Sequence, residues 1–221
     1  MIVLIVSVVI TNMLLADLII LAQSLGATDV RGVYEYGSHV YGTNDEDSDQ
    51  DFIIISNAPI DSYEPYVDEK GRDISFYGIA EFDLMLDNHY LPAIECISQL
   101  DPLFAAPYEF DLNLQSLRIE VSYRASNSWS KARKKLTVGS IVPHENDRRL
   151  GLKSLFHVHR MISYGIQIAQ HGLIIDFACS NWFWDEIKEF KGTWEELDKK
   201  YRVMLNELRS DFKKVAPKEV K

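Results

Sequence analysis

The sequence predicts an α+β fold in which a small mixed sheet with flanking helices is followed by an all-helical domain. Strand patterns lie within the first hundred residues, at 30–37, 49–56 and 72–77. Helical patterns accompany them at 79–89 and 92–99. Helical sequence then continues nearly to the C-terminus. Strands that precede a run of helices in this way are typical of α+β proteins.

Composition limits the classes of function. A chain of 221 residues that is 47% hydrophobic can bury one substantial core or two small ones. The net charge of −10 argues against a protein that coats nucleic acid through bulk charge. The two cysteines, Cys96 and Cys179, support neither a disulfide framework nor a cysteine metal cluster. We therefore expect a cytoplasmic protein.

The apolar N-terminal stretch, residues 1–22, has two interpretations. A signal peptide would need a positive first region, yet the first basic residue is Arg31. Asn12 and Asp17 would be costly in a bilayer. The favoured interpretation is therefore a pair of buried core elements: a β-branched run at 2–10 and a helical run at 13–25 that ends at Gly26. A membrane anchor is the alternative, and we expect no membrane partner.

The remaining elements follow from local signals. The strand at 30–37 ends at Gly37-Ser38, and the apolar strand at 49–56 should be buried on both faces. Asn57, Pro59 and Asp61 predict a turn before the alternating strand at 72–77.

Two prolines in "LDPLFAAPYEFD" mark a domain boundary near residue 106, which gives domains at 1–105 and 106–221. We predict three or four helices in the second domain. They include helices at 112–137 and 149–171 and one that begins at Thr193 with a capping box to Glu196.

Asp49 and Asp51 carry the first sign of chemistry. On a strand they project from the same face, so their carboxylates repel unless a cation lies between them. Oxygen ligands of this kind favour Mg²⁺ or Mn²⁺. An EF-hand is excluded, because Gln50 and Ser56 stand where that loop needs Gly and Glu.

Gly37 and Ser38 precede this acidic pair and predict an anion site. A glycine at a strand end lets the backbone approach a ligand, and free N–H groups behind Ser38 would bind phosphate. His39 follows; it either touches the nucleotide or is simply a helix residue near a polar cleft. A phosphate site beside a two-carboxylate metal site suits phosphoryl or nucleotidyl transfer.

Gly-Ser, a spacer of about ten residues and Asp-x-Asp leading into an apolar strand resemble the nucleotidyltransferases of the DNA polymerase β superfamily. The string "YGSHVYGT…SDQDFIII" is similar to a bacterial and phage branch of predicted nucleotidyltransferases. The likeness continues through residues 73–97 and, more weakly, 152–162, so it spans most of residues 30–165.

The resemblance implies a third carboxylate on a later strand. Asp73 is the best match, while Asp68 and Glu69 lie in a polar turn. Asp49, Asp51 and Asp73 would then be the catalytic residues and the ligands of Mg²⁺ (or Mn²⁺). The alternative for Asp73 is a surface residue on an edge strand.

The resemblance also implies that Gly37, Ser38, Lys153 and Arg160 bind the NTP. The spacing from Lys153 to His157 and Arg160 places them on one helix face. A solvated cationic face is the alternative.

The predicted function is metal-dependent transfer of NMP from an NTP, ATP among the candidates, to an acceptor hydroxyl with release of pyrophosphate. Candidate acceptors are an RNA end, tRNA, a protein or a small molecule. Lys131–Lys135 with Arg148 and Arg149 form a basic concentration that is either an RNA contact or solvated. The alternative function is a catalytically silent nucleotide- or RNA-binding protein, or an antitoxin-like partner, with the same fold.

Overall fold

The computed structural model describes residues 2–57, 65–137 and 145–218, with the backbone alone for 2–10 and 145–146. Pro59 and Asp61 of the predicted turn lie outside these ranges. The chain forms two compact units, Met1–Asp87 with Pro92–Phe110 and Asn88–Leu91 with Asp111–Lys221. The boundary near residue 106, as a division between domains, stays a prediction. Among the described residues, no helix is both long and apolar enough to cross a membrane.

The α+β class is confirmed. Within the described part of the first unit, five strands form one mixed sheet in the order β3-β4-β2-β1-β5. Strands β2 and β4 are parallel, and the other neighbours are antiparallel. The strands are β1 (Gly32–Tyr36), β2 (Asp51–Ser56), β3 (Tyr66–Val67), β4 (Asp73–Gly78) and β5 (Phe104–Ala105). The two-residue edge strands, β3 and β5, were not predicted.

The N-terminal stretch is one continuous helix, α1 (Ile2–Ser24), so the division into a β-branched run and a separate helix is wrong. Valine and isoleucine cost a helix less than about 0.7 kcal/mol each, and neither glycine nor proline interrupts the stretch. The predicted stop is correct. Gly26 has φ +95°, and the Ala27 amide donates to the Ala22 carbonyl at 2.9 Å, which closes a Schellman turn.

Helix α1 covers one face of the sheet. Leu18 and Ala22 are fully buried and join a cluster with Phe52, Ile54 and Ile74. An exposed ion pair between Lys70 and Asp17 also ties α1 to the β3–β4 turn. This face therefore holds one apolar cluster of the first unit.

The opposite face of the sheet meets α3 (Ile79–Asp87). Phe82 of α3 stacks on Tyr34 with ring centroids 6.4 Å apart. Beyond α3 the chain forms α4 (Leu91–Ile97), and Gln99 then donates to the Glu35 carbonyl at 2.8 Å. Both faces are thus covered, as the continuous apolar sequence of β2 predicts.

The described part of the second unit is helical, with α5 (Leu114–Thr137), α6 (Glu145–His171), α7 (Asn181–Ile187) and α8 (Trp194–Val215). The predicted helices are confirmed within a few residues. The capping box is present: the Glu196 carboxylate accepts from the Thr193 amide at 2.8 Å, and the Thr193 hydroxyl accepts from the Glu196 amide. Gly165 lets α6 pack closely, because a Cβ there would lie 2.9 Å from Phe212 and 3.0 Å from Val121.

Candidate active site

Strands β2 and β4 bring two of the predicted carboxylates together. Asp51, the first residue of β2, pairs directly with Asp73, the first residue of β4. The Asp73 amide donates to the Gln50 carbonyl at 2.9 Å, which continues the pairing one residue further. Neighbouring strands lie about 4.8 Å apart, so the two half-buried carboxylates lie side by side where β2 and β4 begin.

The strand alternation determines the face on which this pair lies. Phe52 and Ile74, the next residue of each strand, point into the core beneath α1. Since successive side chains of a strand alternate, Asp51 and Asp73 lie on the opposite face. The carboxylate pair therefore lies outside the apolar cluster beneath α1.

Asp49 does not belong to the strand. The predicted strand at 49–56 begins only at Asp51, and Asp49 is exposed in the preceding loop. A turn at Asp45–Ser48 precedes the strand. The Asp45 carboxylate accepts a hydrogen bond from the Ser48 hydroxyl at 2.7 Å, and that hydroxyl accepts one from the Asp45 amide. In the described parts of the chain, no three acidic, histidine or cysteine side chains are grouped to hold a metal.

Gly37 packs against the Asp51 carboxylate. Its φ of 72° and ψ of −150° are essentially restricted to glycine. A Cβ at this position would lie 1.9 Å from Asp51 Oδ2. Sequence reasoning expected a close backbone approach here but assigned it to a ligand. The structure shows a protein carboxylate in that place.

A one-turn helix, α2 (Ser38–Tyr41), follows Gly37. It ends at Gly42, whose amide donates to the Ser38 carbonyl at 2.9 Å. Half-buried His39 has an Nε2 atom that is buried without a hydrogen-bond partner among the described residues. Buried polar atoms are normally paired, so this nitrogen is a candidate for a hydrogen bond to a ligand.

Asp68 serves the β3–β4 turn. Its carboxylate accepts from Arg72 Nε at 2.6 Å and from the backbone amides of Lys70 and Arg72 at 2.8 and 2.9 Å. Both side chains of the pair are about 93% buried or more. Burial raises the pKa of Asp68, but the hydrogen bonds from Arg72 outweigh it and hold the pKa below its usual value. Asp68 is thus engaged in fixing the start of β4.

Lys153 and Arg160 lie on α6 in the second unit. Arg160 is 5% exposed and lies over the Tyr164 ring at 5.1 Å, while Lys153 is half-buried. Burial lowers the pKa of His157 well below its usual value, and Arg160, Lys153 and Lys131 lower it further. The alternative of a solvated cationic face is therefore wrong for Arg160. NTP binding by Lys153 and Arg160 stays a prediction.

The basic concentration is partly structural. Arg148 donates to the Gly192 carbonyl at 2.9 Å and so holds the connection between α7 and α8. Lys135 pairs with Asp147 at 2.6 Å. Lys131 and Lys134 are exposed on α5 and stay candidates for a phosphate contact.

Comparison with known proteins adds no assignment. No protein-family model matches the chain, and no curated protein is significantly similar to it. The resemblance to polymerase β-like nucleotidyltransferases thus rests on the motifs themselves.

The oxygen atoms of the paired carboxylates suit a hard cation such as Mg²⁺. Asp51 and Asp73 offer only oxygen ligands, which Mg²⁺ and Mn²⁺ prefer. Mg²⁺ is commonly held by one or two carboxylates and completed by substrate phosphates and water. Asp49 is not grouped with Asp51 and Asp73. The pair therefore fits a cation whose coordination is completed by phosphates better than a cation whose ligands all come from the protein.

Proposed function

We propose that the protein is a metal-dependent nucleotidyltransferase that moves NMP from an NTP to an acceptor hydroxyl and releases pyrophosphate. The observation that supports this most is the pairing of Asp51 with Asp73 at one sheet edge, with Gly37 against the Asp51 carboxylate. This arrangement joins the two parts of the Gly-Ser…Asp-x-Asp motif. The proposal places the reaction in the cytoplasm.

The residues have distinct roles in this proposal. Asp51 and Asp73 would bind Mg²⁺ or Mn²⁺, which neutralises phosphate charge when bound. Metal binding by Asp49, which lies in the preceding loop and is not grouped with the pair, stays a prediction. Asp73 would accept the proton of the attacking hydroxyl. The backbone at Gly37 and Ser38 would bind the terminal phosphates, and His39 Nε2 would supply a further hydrogen bond. Positioning and charge neutralisation account for most catalysis in phosphoryl transfer.

Label transfer tests the proposal. The protein is incubated with each α-labelled NTP, Mn²⁺ and, separately, total RNA, tRNA, protein extract or small hydroxyl compounds. We expect label to move to one acceptor class, with loss in Asp51→Asn and Asp73→Asn. Asp47→Asn is the matched control, since Asp47 is an exposed acid of the same loop. Equal transfer by all three variants would contradict the proposal.

One observation favours a second candidate, a nucleotide-binding partner protein without turnover. Asp49 is exposed, and the three predicted carboxylates are not grouped in the described chain. A silent protein would bind NTP and release no pyrophosphate with any acceptor. Measuring NTP binding and pyrophosphate release on the same sample separates the two candidates.

A further inference from the structure

A groove between α5 and α8 in the second unit carries a separate set of aromatic and charged side chains. It encloses about 470 Å³, within the range of small-molecule sites. Trp129 and Arg133 line it from α5. The lining from α8 includes Trp194, Asp198, Lys199 and Arg202.

Trp129 is held in place as an aromatic platform. Its ring meets Trp194 edge to face, with centroids 4.9 Å apart. The Arg209 guanidinium lies 5.4 Å from the centre of the same ring. Trp194 is 5% exposed and opens α8 directly after the Thr193 capping box, so it is fixed, whereas Trp129 is only half-buried. The ring contacts with Trp194 and Arg209 restrain the partly exposed Trp129 indole, so it loses little freedom when a flat ligand stacks on it.

The charges of the groove favour an anion beside that platform. Arg202 pairs with Asp198, which removes one charge of each sign. Arg133 and Lys199 form no ion pair within the described residues, and both are exposed. Glu195 is the remaining acid in the lining. The groove thus has a net positive charge in a chain of net charge −10.

We propose that this groove binds a nucleoside phosphate, with the base against Trp129 and the phosphate between Arg133 and Lys199. An aromatic platform beside two cations matches a ligand that is flat at one end and anionic at the other. The ligand is either a free nucleotide or one nucleotide of a single strand, since both present the same base and phosphate. This site is distinct from the Asp51–Asp73 pair and does not depend on the proposed transfer reaction.

The test is a titration in EDTA with nucleoside monophosphates and, in parallel, with fluorescently labelled single-stranded RNA oligonucleotides. Binding of the monophosphates is measured by quenching of tryptophan fluorescence, and binding of the labelled oligonucleotides is measured by fluorescence anisotropy. We expect saturable binding in at least one arm. EDTA removes the metal on which nucleotide binding at the Asp51–Asp73 pair is proposed to depend, so the signal reports the groove. Binding of monophosphates identifies a free nucleotide, and binding of oligonucleotides alone identifies a strand.

Variants decide whether the groove is responsible. Trp129→Leu removes the reporting indole, so its binding is measured by isothermal titration and anisotropy; it should be weaker at least fivefold, the lower end of the loss for a stacked base. Arg133→Glu should weaken it similarly and, as an exposed change, leave folding intact. Lys213→Glu, an exposed cation of α8 outside the groove, and Trp182→Leu are the matched controls. The proposal is overturned by lack of binding at millimolar ligand, or by equal binding in Arg133→Glu and Lys213→Glu.

Discussion

Gly37 and the carboxylate of Asp51 are in such close contact that a Cβ atom at residue 37 would lie 1.9 Å from Asp51 Oδ2. Antiparallel pairing of Tyr36 with Asp51 places the end of β1 beside the start of β2 and creates this contact. The loop that should bind phosphate and the carboxylate that should bind metal are thereby fixed relative to each other. Four predictions follow from this and from the other buried polar groups.

The first prediction is that Gly37→Ala destabilises the protein and abolishes NTP binding. The new methyl group would suffer both the unfavourable backbone conformation and the collision with Asp51, at a cost above about 3 kcal/mol. Gly71→Ala is the control, since Gly71 has φ +76° with open space around its Cβ position. Urea unfolding should show that Gly71→Ala lowers the free energy of unfolding by only about 1 kcal/mol. Equal losses in the two variants would mean that the contact with Asp51 is unimportant.

The second prediction concerns Asp51→Asn without metal. Like charges directly opposite on neighbouring strands are destabilising, and the amide removes the repulsion with Asp73. Thermal melts in EDTA should show a variant as stable as the parent or more so, by up to about 1 kcal/mol. A large loss of stability would assign Asp51 a structural role as an acceptor of buried hydrogen bonds.

The third prediction concerns the buried pair of Arg72 and Asp68. Arg72→Met leaves the Asp68 carboxylate buried without its cation, which typically costs 3–5 kcal/mol. Adding Asp68→Asn should restore part of that loss. Lys70→Met, which breaks the exposed pair with Asp17, should cost less than about 1 kcal/mol. Urea unfolding of the wild type and the three variants measures these losses of stability, and a loss for Arg72→Met as small as for Lys70→Met would contradict the prediction.

The fourth prediction is a loss of stability in mild acid. Burial lowers the pKa of His159 to about 4, and its Nδ1 bonds the buried Ser180 hydroxyl at 2.8 Å. The unfolded chain has a histidine pKa near 6.5, so it binds the proton first. Stability is therefore full above about pH 6.5 and falls as the pH drops towards 4, by at most about 3 kcal/mol from this group.

Chemical unfolding across pH 4–8 measures this dependence. His159→Gln should lower the stability at pH 7 and flatten the slope between pH 4 and 6.5 by about one proton. The exposed His171 is the control, and His171→Gln should leave the slope unchanged. An unchanged slope in His159→Gln would show that the folded and unfolded chains bind this proton equally well, which would contradict the prediction.

The central part of the site could be predicted because the apolar pattern of its strands indicates which positions are buried. Phe52–Ile55 is apolar on both faces, as a central strand must be, and Ile74 and Phe76 alternate with Asp73 and Ser75. Those patterns determine which residues occupy the strands, and the strand pairing then brings Asp51 beside Asp73. Gly37 signals a special backbone conformation by its residue type alone.

Other features leave no such signal. The residue at which β2 begins depends on the Asp45–Ser48 turn. The strand begins at Asp51, two residues later than predicted, and Asp49 therefore lies outside it. Edge strands of two residues, such as Phe104–Ala105, are too short for an alternation to be recognised. The groove at Trp129 joins residues about 65 positions apart through helix packing, which sequence spacing does not encode.

The central claim is that Asp51 and Asp73 form a cation site which the phosphates of an NTP complete. Isothermal titration with NTP, run once with Mg²⁺ and once with EDTA, tests this most directly on wild type, Asp73→Asn and Asp47→Asn. We predict that Mg²⁺ strengthens NTP binding at least tenfold in wild type and Asp47→Asn, and has no effect in Asp73→Asn. Equal NTP affinity with Mg²⁺ and with EDTA in the wild-type protein would contradict it.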